Sequence, residues 1–162
     1  MKRIVIYYSL EGNTEKAAKQ IAEALEAELV RIEPVKSIPT DSDKKFMVGG
    51  MQAMFDICPK LQNERLDEAA YDQIILGTPV WAGKCASPVR SFIKKNHLNE
   101  KVTAVFTCSG GGDNDGCIAN LKKLLHHIQY TVALADQNNQ ELSGKNESRL
   151  AEFIEQLKHI SE

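Results

Sequence analysis

The chain has few of the residues that staple a protein together or charge it strongly. Its 162 residues include four cysteines, five prolines and a single tryptophan. No two of Cys58, Cys85, Cys108 and Cys117 are separated by two residues, so the spacing of zinc ligands or of a thioredoxin-type redox pair is missing. A chain of this length buries a sizeable core without disulfides, and the four are read as reduced thiols that behave mainly as small buried hydrophobes. Neither sign of charge dominates: 20 Lys and Arg face 22 Asp and Glu, for a net charge of -2. The basic pairs Lys94-Lys95 and Lys122-Lys123 fall on predicted helices as solvated faces, so no nucleic-acid partner is expected. No apolar run approaches the length of a membrane span, which gives the expectation of one cytoplasmic domain, 1–162, with no membrane partner.

Two common phosphate-binding signatures are also missing: four residues between two glycines followed by Lys and Ser/Thr, and the three spaced glycines of a dinucleotide fold. What stands after the first strand-like segment, Lys2 to Tyr8, is Ser9-Leu-Glu-Gly-Asn-Thr14, rich in hydroxyl and amide groups, and then a helix. The first N–H groups of a helix lack intrahelical partners and lie at the positive end of its dipole, so they can donate to a phosphate. Ser9, Asn13 and Thr14 add side-chain donors. With no Lys or Arg between Ser9 and Thr14, attraction there rests on dipoles and neutral donors. The alternative is a turn at Gly12 with Asn13 or Thr14 as an ordinary cap.

Ala18, Ile21, Ala22 and Leu25 recur at helical spacing over 14–27, and Leu29 to Ile32 reads as a second strand. The stretch from Val35 to Asp67 breaks the rhythm; Phe46, Met47, Met51, Met54 and Phe55 cluster there around Gly49-Gly50, with part of it a short helix, and core filling is the expected role. Gln73-Ile-Ile-Leu-Gly77 reads as a strand buried on both faces, followed by a loop, Thr78 to Gly83. Ser87 is expected to cap a helix with Pro88 at its first position. A fourth strand, Lys101 to Thr107, leads into Cys108-Ser-Gly-Gly-Gly-Asp113. A helix then carries Ile118, Leu121, Leu125 and Ile128, a fifth strand covers 130–135, and a last helix shows Leu150, Phe153, Ile154, Leu157 and Ile160. Strands alternating with amphipathic helices predict an α/β fold with a parallel sheet and helices on both faces. The loops after strands one, three and four should converge at the carboxyl edge of that sheet.

Those three loops resemble the phosphate loop and the two ring-binding loops of flavodoxins. The resemblance spans nearly the whole chain in order and spacing. It implies a flavodoxin-like doubly wound sheet of five parallel strands in the order 2-1-3-4-5, with FMN bound non-covalently at its carboxyl edge. By that likeness Ser9, Leu10, Glu11, Gly12, Asn13 and Thr14 hold the phosphate. Thr78, Pro79, Val80, Trp81, Ala82 and Gly83 form one ring-binding loop, and Cys108, Ser109, Gly110, Gly111, Gly112 and Asp113 form the other. Trp81 is the stacking candidate, and glycines suit a rim where backbone meets the flavin edge. The peptide around Ala82-Gly83 is the candidate to turn toward the ring as electrons arrive.

The resemblance further implies an electron-transfer protein cycling between oxidised, semiquinone and reduced flavin, served by a partner reductase and acceptor and having no catalytic side chain. The other reading is a small NAD(P)H-dependent FMN or quinone reductase acting directly on a small acceptor. The charge of -2 is mild for long-range docking. The third loop lacks an aromatic cover for the second ring face, so Asp113-Asn114 leaves that face open or the Met51, Met54 and Phe55 cluster leans over it. A monomer or weak dimer is expected. A signalling receiver of the same topology needs a phosphorylatable Asp after the middle strand, where this chain has Gly77-Thr78-Pro79.

Overall fold

The computed structural model describes residues 1–112 and 114–161. Its strands are β1 (Arg3–Tyr7), β2 (Glu28–Arg31), β3 (Gln73–Trp81), β4 (Lys84–Cys85), β5 (Val102–Ser109) and β6 (Tyr130–Ala135). Its helices are α1 (Asn13–Leu25), α2 (Ser42–Met54), α3 (Ser87–Lys95), α4 (Asp115–Leu124), α5 (Gln140–Ser143) and α6 (Asn146–Lys158). Five strands run parallel in the order β2-β1-β3-β5-β6, the expected doubly wound arrangement, and the two-residue β4 adds a sixth by pairing antiparallel with the end of β3.

Alternate residues of the central strands feed two cores, as the two-residue period of a strand requires. Ile4, Ile6, Ile74 and Leu76 pack with Val89, Phe92 and Ile93 of α3 and Cys117 and Leu121 of α4. Val5, Tyr7, Ile75, Ala104 and Phe106 face Ala18, Ile21 and Leu25 of α1 and Leu150, Phe153 and Leu157 of α6. Gly77 of β3 lies beside Phe106 of β5, whose ring fills the space a side chain at Gly77 would occupy.

Several expectations needed correction. The third strand does not stop at Gly77 but continues through Trp81. Thr78 and Pro79 still pair with Thr107 and Cys108 of β5, and Val80 and Trp81 pair with Cys85 and Lys84 of β4. Pairing with β1 ends at Tyr7 opposite Gly77, so Pro79, which has no N–H to give, sits where one side of β3 has become an edge. Ala82 and Gly83 form the two-residue hairpin turn, both left-handed with φ of 49° and 74°, as the right-handed twist of a hairpin favours. The N-cap of α3 is Ala86, with Ser87 inside the helix. The helix expected to reach Ile128 ends at Leu124, and Leu125 is extended toward β6.

The largest correction concerns α2. Phe46, Met47, Met51, Met54 and Phe55 do not fill the core; each is more than half exposed. Among the described residues of α2 only Gly49 and Ala53 are buried. Elsewhere, the carboxyl end of the edge strand β6 is closed by a side chain: Asn146 accepts from the N–H of Ala135 (2.9 Å) and donates to its carbonyl (2.7 Å). No helix among the described residues is long and apolar enough to cross a membrane.

Candidate functional site

A cavity of about 380 Å³ opens at the carboxyl ends of β1, β3, β5 and β6. Of the expected loops it is lined by Ser9, Leu10, Glu11, Asn13 and Thr14, by Pro79, Val80, Trp81 and Ala82, and by Cys108, Ser109 and Gly110. Gly12, Thr78, Gly83, Gly111 and Gly112 lie off its wall, and Asp113 lies outside the described residues.

At one end the chain leaves β1 and enters α1 through Gly12, whose φ of 100° only glycine adopts freely. The Gly12 N–H donates to Ser9 Oγ (3.1 Å) and folds the loop back on itself. The first intrahelical bond in α1 is from the Lys16 N–H to the Gly12 carbonyl (3.0 Å), so the N–H groups of the opening turn point outward at the positive end of the dipole. Asn13 does not cap the helix: its Oδ1 accepts from the N–H of Gln137 (3.0 Å) and ties the loop to the segment after β6. Thr14 is buried. Arg31 donates to the Ser9 carbonyl (2.9 Å) and pairs with Glu15 (3.0 Å), which fixes the back of the loop.

At the other end stands Trp81, edge-on to the ring of Tyr8 with centroids 5.5 Å apart. A Cβ at Gly49 would lie 3.3 Å from Cδ2 and Cε3 and 3.5 Å from Cζ3 of Trp81, so the backbone of α2 covers one face of the six-membered ring. The Tyr8 hydroxyl is pushed up to about 12 by burial, with Arg31 opposing, and is a neutral group here. Thr78 lies beneath the wall: its hydroxyl accepts from the Ala86 N–H (3.0 Å) and donates to the Pro79 carbonyl (2.8 Å), bracing the base of the hairpin.

The third side is the end of β5. Ser109 bonds Asn114, accepts from the Gly112 N–H on its Oγ (2.9 Å), and receives the Asp136 N–H on its carbonyl (2.7 Å). Asn114 turns inward, with its amide also donating to Thr107 (2.6 Å), and is buried. Gly112 has φ 69° and packs on Ala135.

Two lining residues escaped the sequence reading, Lys45 from α2 and Asp136 after β6, while Phe46 and Gly50, read there as part of the apolar cluster with core filling favoured over ligand contact, line the cavity. Of the two alternatives for the second ring face, the one in which Met51, Met54 and Phe55 lean over the cavity is not seen; Phe46 and Gly50 of α2 line it. Lys45 meets Glu11 and lies 5.0 Å from the Phe46 ring centroid. It brings a cation to a loop that has none of its own, from a helix 34 residues away in sequence. Asp136 is half-buried, and burial together with Glu11 raises its carboxyl above the usual range while Lys45 opposes the shift. Cys108 lines the cavity as a buried thiol raised to about 12 by desolvation, a neutral and unreactive group. Among the described residues no cluster of His, Cys, Asp and Glu could hold a metal.

The cavity joins the helix-start amides of α1 at one end to an indole at the other, with Glu11, Lys45 and Asp136 on its wall, on a doubly wound sheet. The flavodoxin family model matches residues 2–156. The chain belongs to the flavodoxin family, whose cofactor is FMN. A protein of Syntrophus aciditrophicus named NAD(P)H dehydrogenase (quinone) is 31% identical over 89% of this chain and 79% of its own length. The flavoprotein of Lactobacillus acidophilus, solved in complex with FMN, superposes with a TM-score of 0.67 at 21% identity, over 91% of this chain and 97% of that one. A flavodoxin from the domain Archaea gives a TM-score of 0.53 at 16% identity, over 98% and 100% of the two chains. These two structures share the fold.

Proposed function

We propose that this chain binds FMN non-covalently in the 380 Å³ cavity and serves as an electron carrier between a reductase and an acceptor. The observation that carries the reading is the pairing of ends: free N–H groups at the start of α1 beside Ser9 and Thr14, and an indole wall at Trp81. The cavity volume lies in the range of about 300–1,000 Å³ typical of cofactor sites, and its polar and flat ends match a phosphate and an aromatic ring in kind. FMN, when bound, supplies the one- and two-electron chemistry.

The residues of the chain then have separate tasks. The amides of Asn13 and Thr14, with the hydroxyls of Ser9 and Thr14, hold the phosphate. Lys45 offsets the carboxylates of Glu11 and Asp136 that flank it. Trp81 offers a face for stacking, and Ala82, Ser109 and Gly110 bring backbone groups to the ring edge. The left-handed turn at Ala82-Gly83 is where a peptide can rotate without disturbing the strands on either side, because Thr78 braces the hairpin below it. Gly111 and Gly112 shape the rim from outside the wall. The two carboxylates, Glu11 and Asp136, against the single cation Lys45 disfavour extra negative charge on a ring held in the cavity.

The carrier reading is favoured by the sequence, which carries no second nucleotide-binding motif beside the Ser9 to Thr14 loop. A second reading, direct NAD(P)H-dependent reduction of a quinone, is favoured by the name of the Syntrophus relative. Anaerobic mixing of the FMN-loaded protein with NADH or NADPH separates them. Slow bleaching that needs an added reductase supports the carrier; fast bleaching by the nicotinamide alone refutes it in favour of the reductase. Failure of the apoprotein to quench the fluorescence of micromolar FMN refutes both.

A further inference from the structure

Helix α2 is amphipathic the wrong way round. The residues it turns to the body follow helical spacing: Lys45, Gly49, Gln52, Ala53 and, just past the helix, Asp56. Burying a glycine and an alanine removes little apolar surface from water, so hydrophobic attraction holds α2 weakly. Its other attachments are polar. Lys45 meets Glu11, Gln52 accepts from Ser87 Oγ (2.8 Å), and Asp56 Oδ1 receives both Lys84 Nζ (3.0 Å) and Arg90 Nη2 (2.9 Å). In the last of these one carboxylate oxygen gathers two cations, with the Arg90 side chain 8% and the Asp56 side chain 49% exposed. The Asp56 carboxyl is held below the usual range by Lys84, with Arg90 and Lys94 contributing.

One cation belongs to the hairpin that carries the cavity wall and the other to the helix that follows it. Lys84 follows the Ala82-Gly83 turn directly, and Arg90 is in the first turns of α3. We propose that Asp56 is a positioning residue for the cavity: by clasping Lys84 and Arg90 it presses α2 onto Trp81 and fixes the Ala82-Gly83 turn. The mechanical half of this stands on contacts alone; its redox half rests on the cavity being the FMN site. Removing the carboxylate leaves Arg90 buried without a counter-ion, so the guanidinium has to move toward water and α2 loses its anchor. Asp56 has a left-handed φ of 54°, which Asn tolerates as well as Asp does. Asp56→Asn therefore removes the charge and little else.

Trp81 is the chain's only tryptophan, and its covered face reports the position of α2 directly. Acrylamide quenching of its fluorescence in the apoprotein should rise about twofold in Asp56→Asn, as local opening exposes the ring. Wild type should approach the variant as salt rises to about 1 M, where the screening length is ~3 Å, while the variant, left with the Lys45–Glu11 pair alone, changes less. Gly49→Ala, which pushes a methyl against the indole, should raise quenching and keep the salt dependence. In the FMN-loaded protein both one-electron potentials should shift in Asp56→Asn. A quenching constant equal to wild type in Asp56→Asn overturns the clasp; if that variant does not fold, a salt-independent wild type overturns it. Increased quenching with unchanged potentials overturns the coupling to the ring. If quenching responds as expected and wild type binds no FMN, the clasp stands and the proposed function fails.

Discussion

Replacing Gly77 with alanine tests how firmly the sheet beneath the cavity is set. The added Cβ would stand 2.0 Å from Cζ, 2.4 Å from Cε2 and 2.7 Å from Cε1 of Phe106. A carbon–carbon contact needs about 3.5 Å, so the ring has to retreat by more than an ångström. It has nowhere to go, because Phe106 is fully buried between α1 and α6. Overpacking of this kind costs about 1–3 kcal/mol, and forcing the ring off its rotamer adds about 0.5–1.5 kcal/mol. Against this, alanine restricts the unfolded chain and returns about 0.4–1 kcal/mol. The net expectation is a loss of about 0.5–4 kcal/mol, centred on ~2 kcal/mol, or roughly 4–8 °C in Tm at the centre for a chain of this size. Urea unfolding of the apoprotein, followed by far-UV circular dichroism, measures it. Adding Phe106→Leu should recover more than half of the loss. A Gly77→Ala protein within about 0.5 kcal/mol of wild type, the range usual for an unconstrained surface position, would refute the account of β3 and β5 as rigidly keyed at this point.

Lys45→Met should weaken FMN binding about tenfold, the loss of one charge-assisted contact at a half-open site, and should flatten the salt dependence of the dissociation constant measured by fluorescence titration. Asp136→Asn bears on pH. Because the folded pKa is raised, folding takes up a proton between the ordinary value of 3.8 and the higher folded value, so stability falls as pH rises through that window and is lowest above it. The Asn variant should lack this fall, be more stable than wild type at neutral pH in urea titrations, and bind FMN more tightly there. Ellman's reagent should label one thiol, Cys58, in the native protein and four after unfolding, since Cys85, Cys108 and Cys117 are buried and desolvation pushes them up to about 11, 12 and 12.

The parallel sheet and the helices were legible because their signals are local: the apolar run Gln73 to Gly77, and the spacing of Ala18, Ile21, Ala22 and Leu25. The loop at Ser9 was legible for the same reason, since a helix start is a short-range pattern. The end of β3 was not. Pro79 and Gly83 read as breakers, and only the termination of β1 one strand away explains why a proline can sit in a strand there. Lys45 and Asp136 were missed because each reaches the cavity from a separate element, and no spacing along the chain announces that meeting. The Phe46 to Phe55 cluster misled for a physical reason as well. Apolar periodicity marks which side of a helix is greasy, and in α2 the side that meets the body is set by glycine, alanine and ion pairs.

The amide of Asn146 occupies the place where another strand would bond at Ala135. Edge strands invite addition by neighbouring molecules, and β6 reaches its exposed margin at the same end of the sheet as the cavity. A side chain that mimics one peptide of an absent strand takes that template at Ala135, so a newcomer strand meets an occupied edge beside the loops that line the cavity.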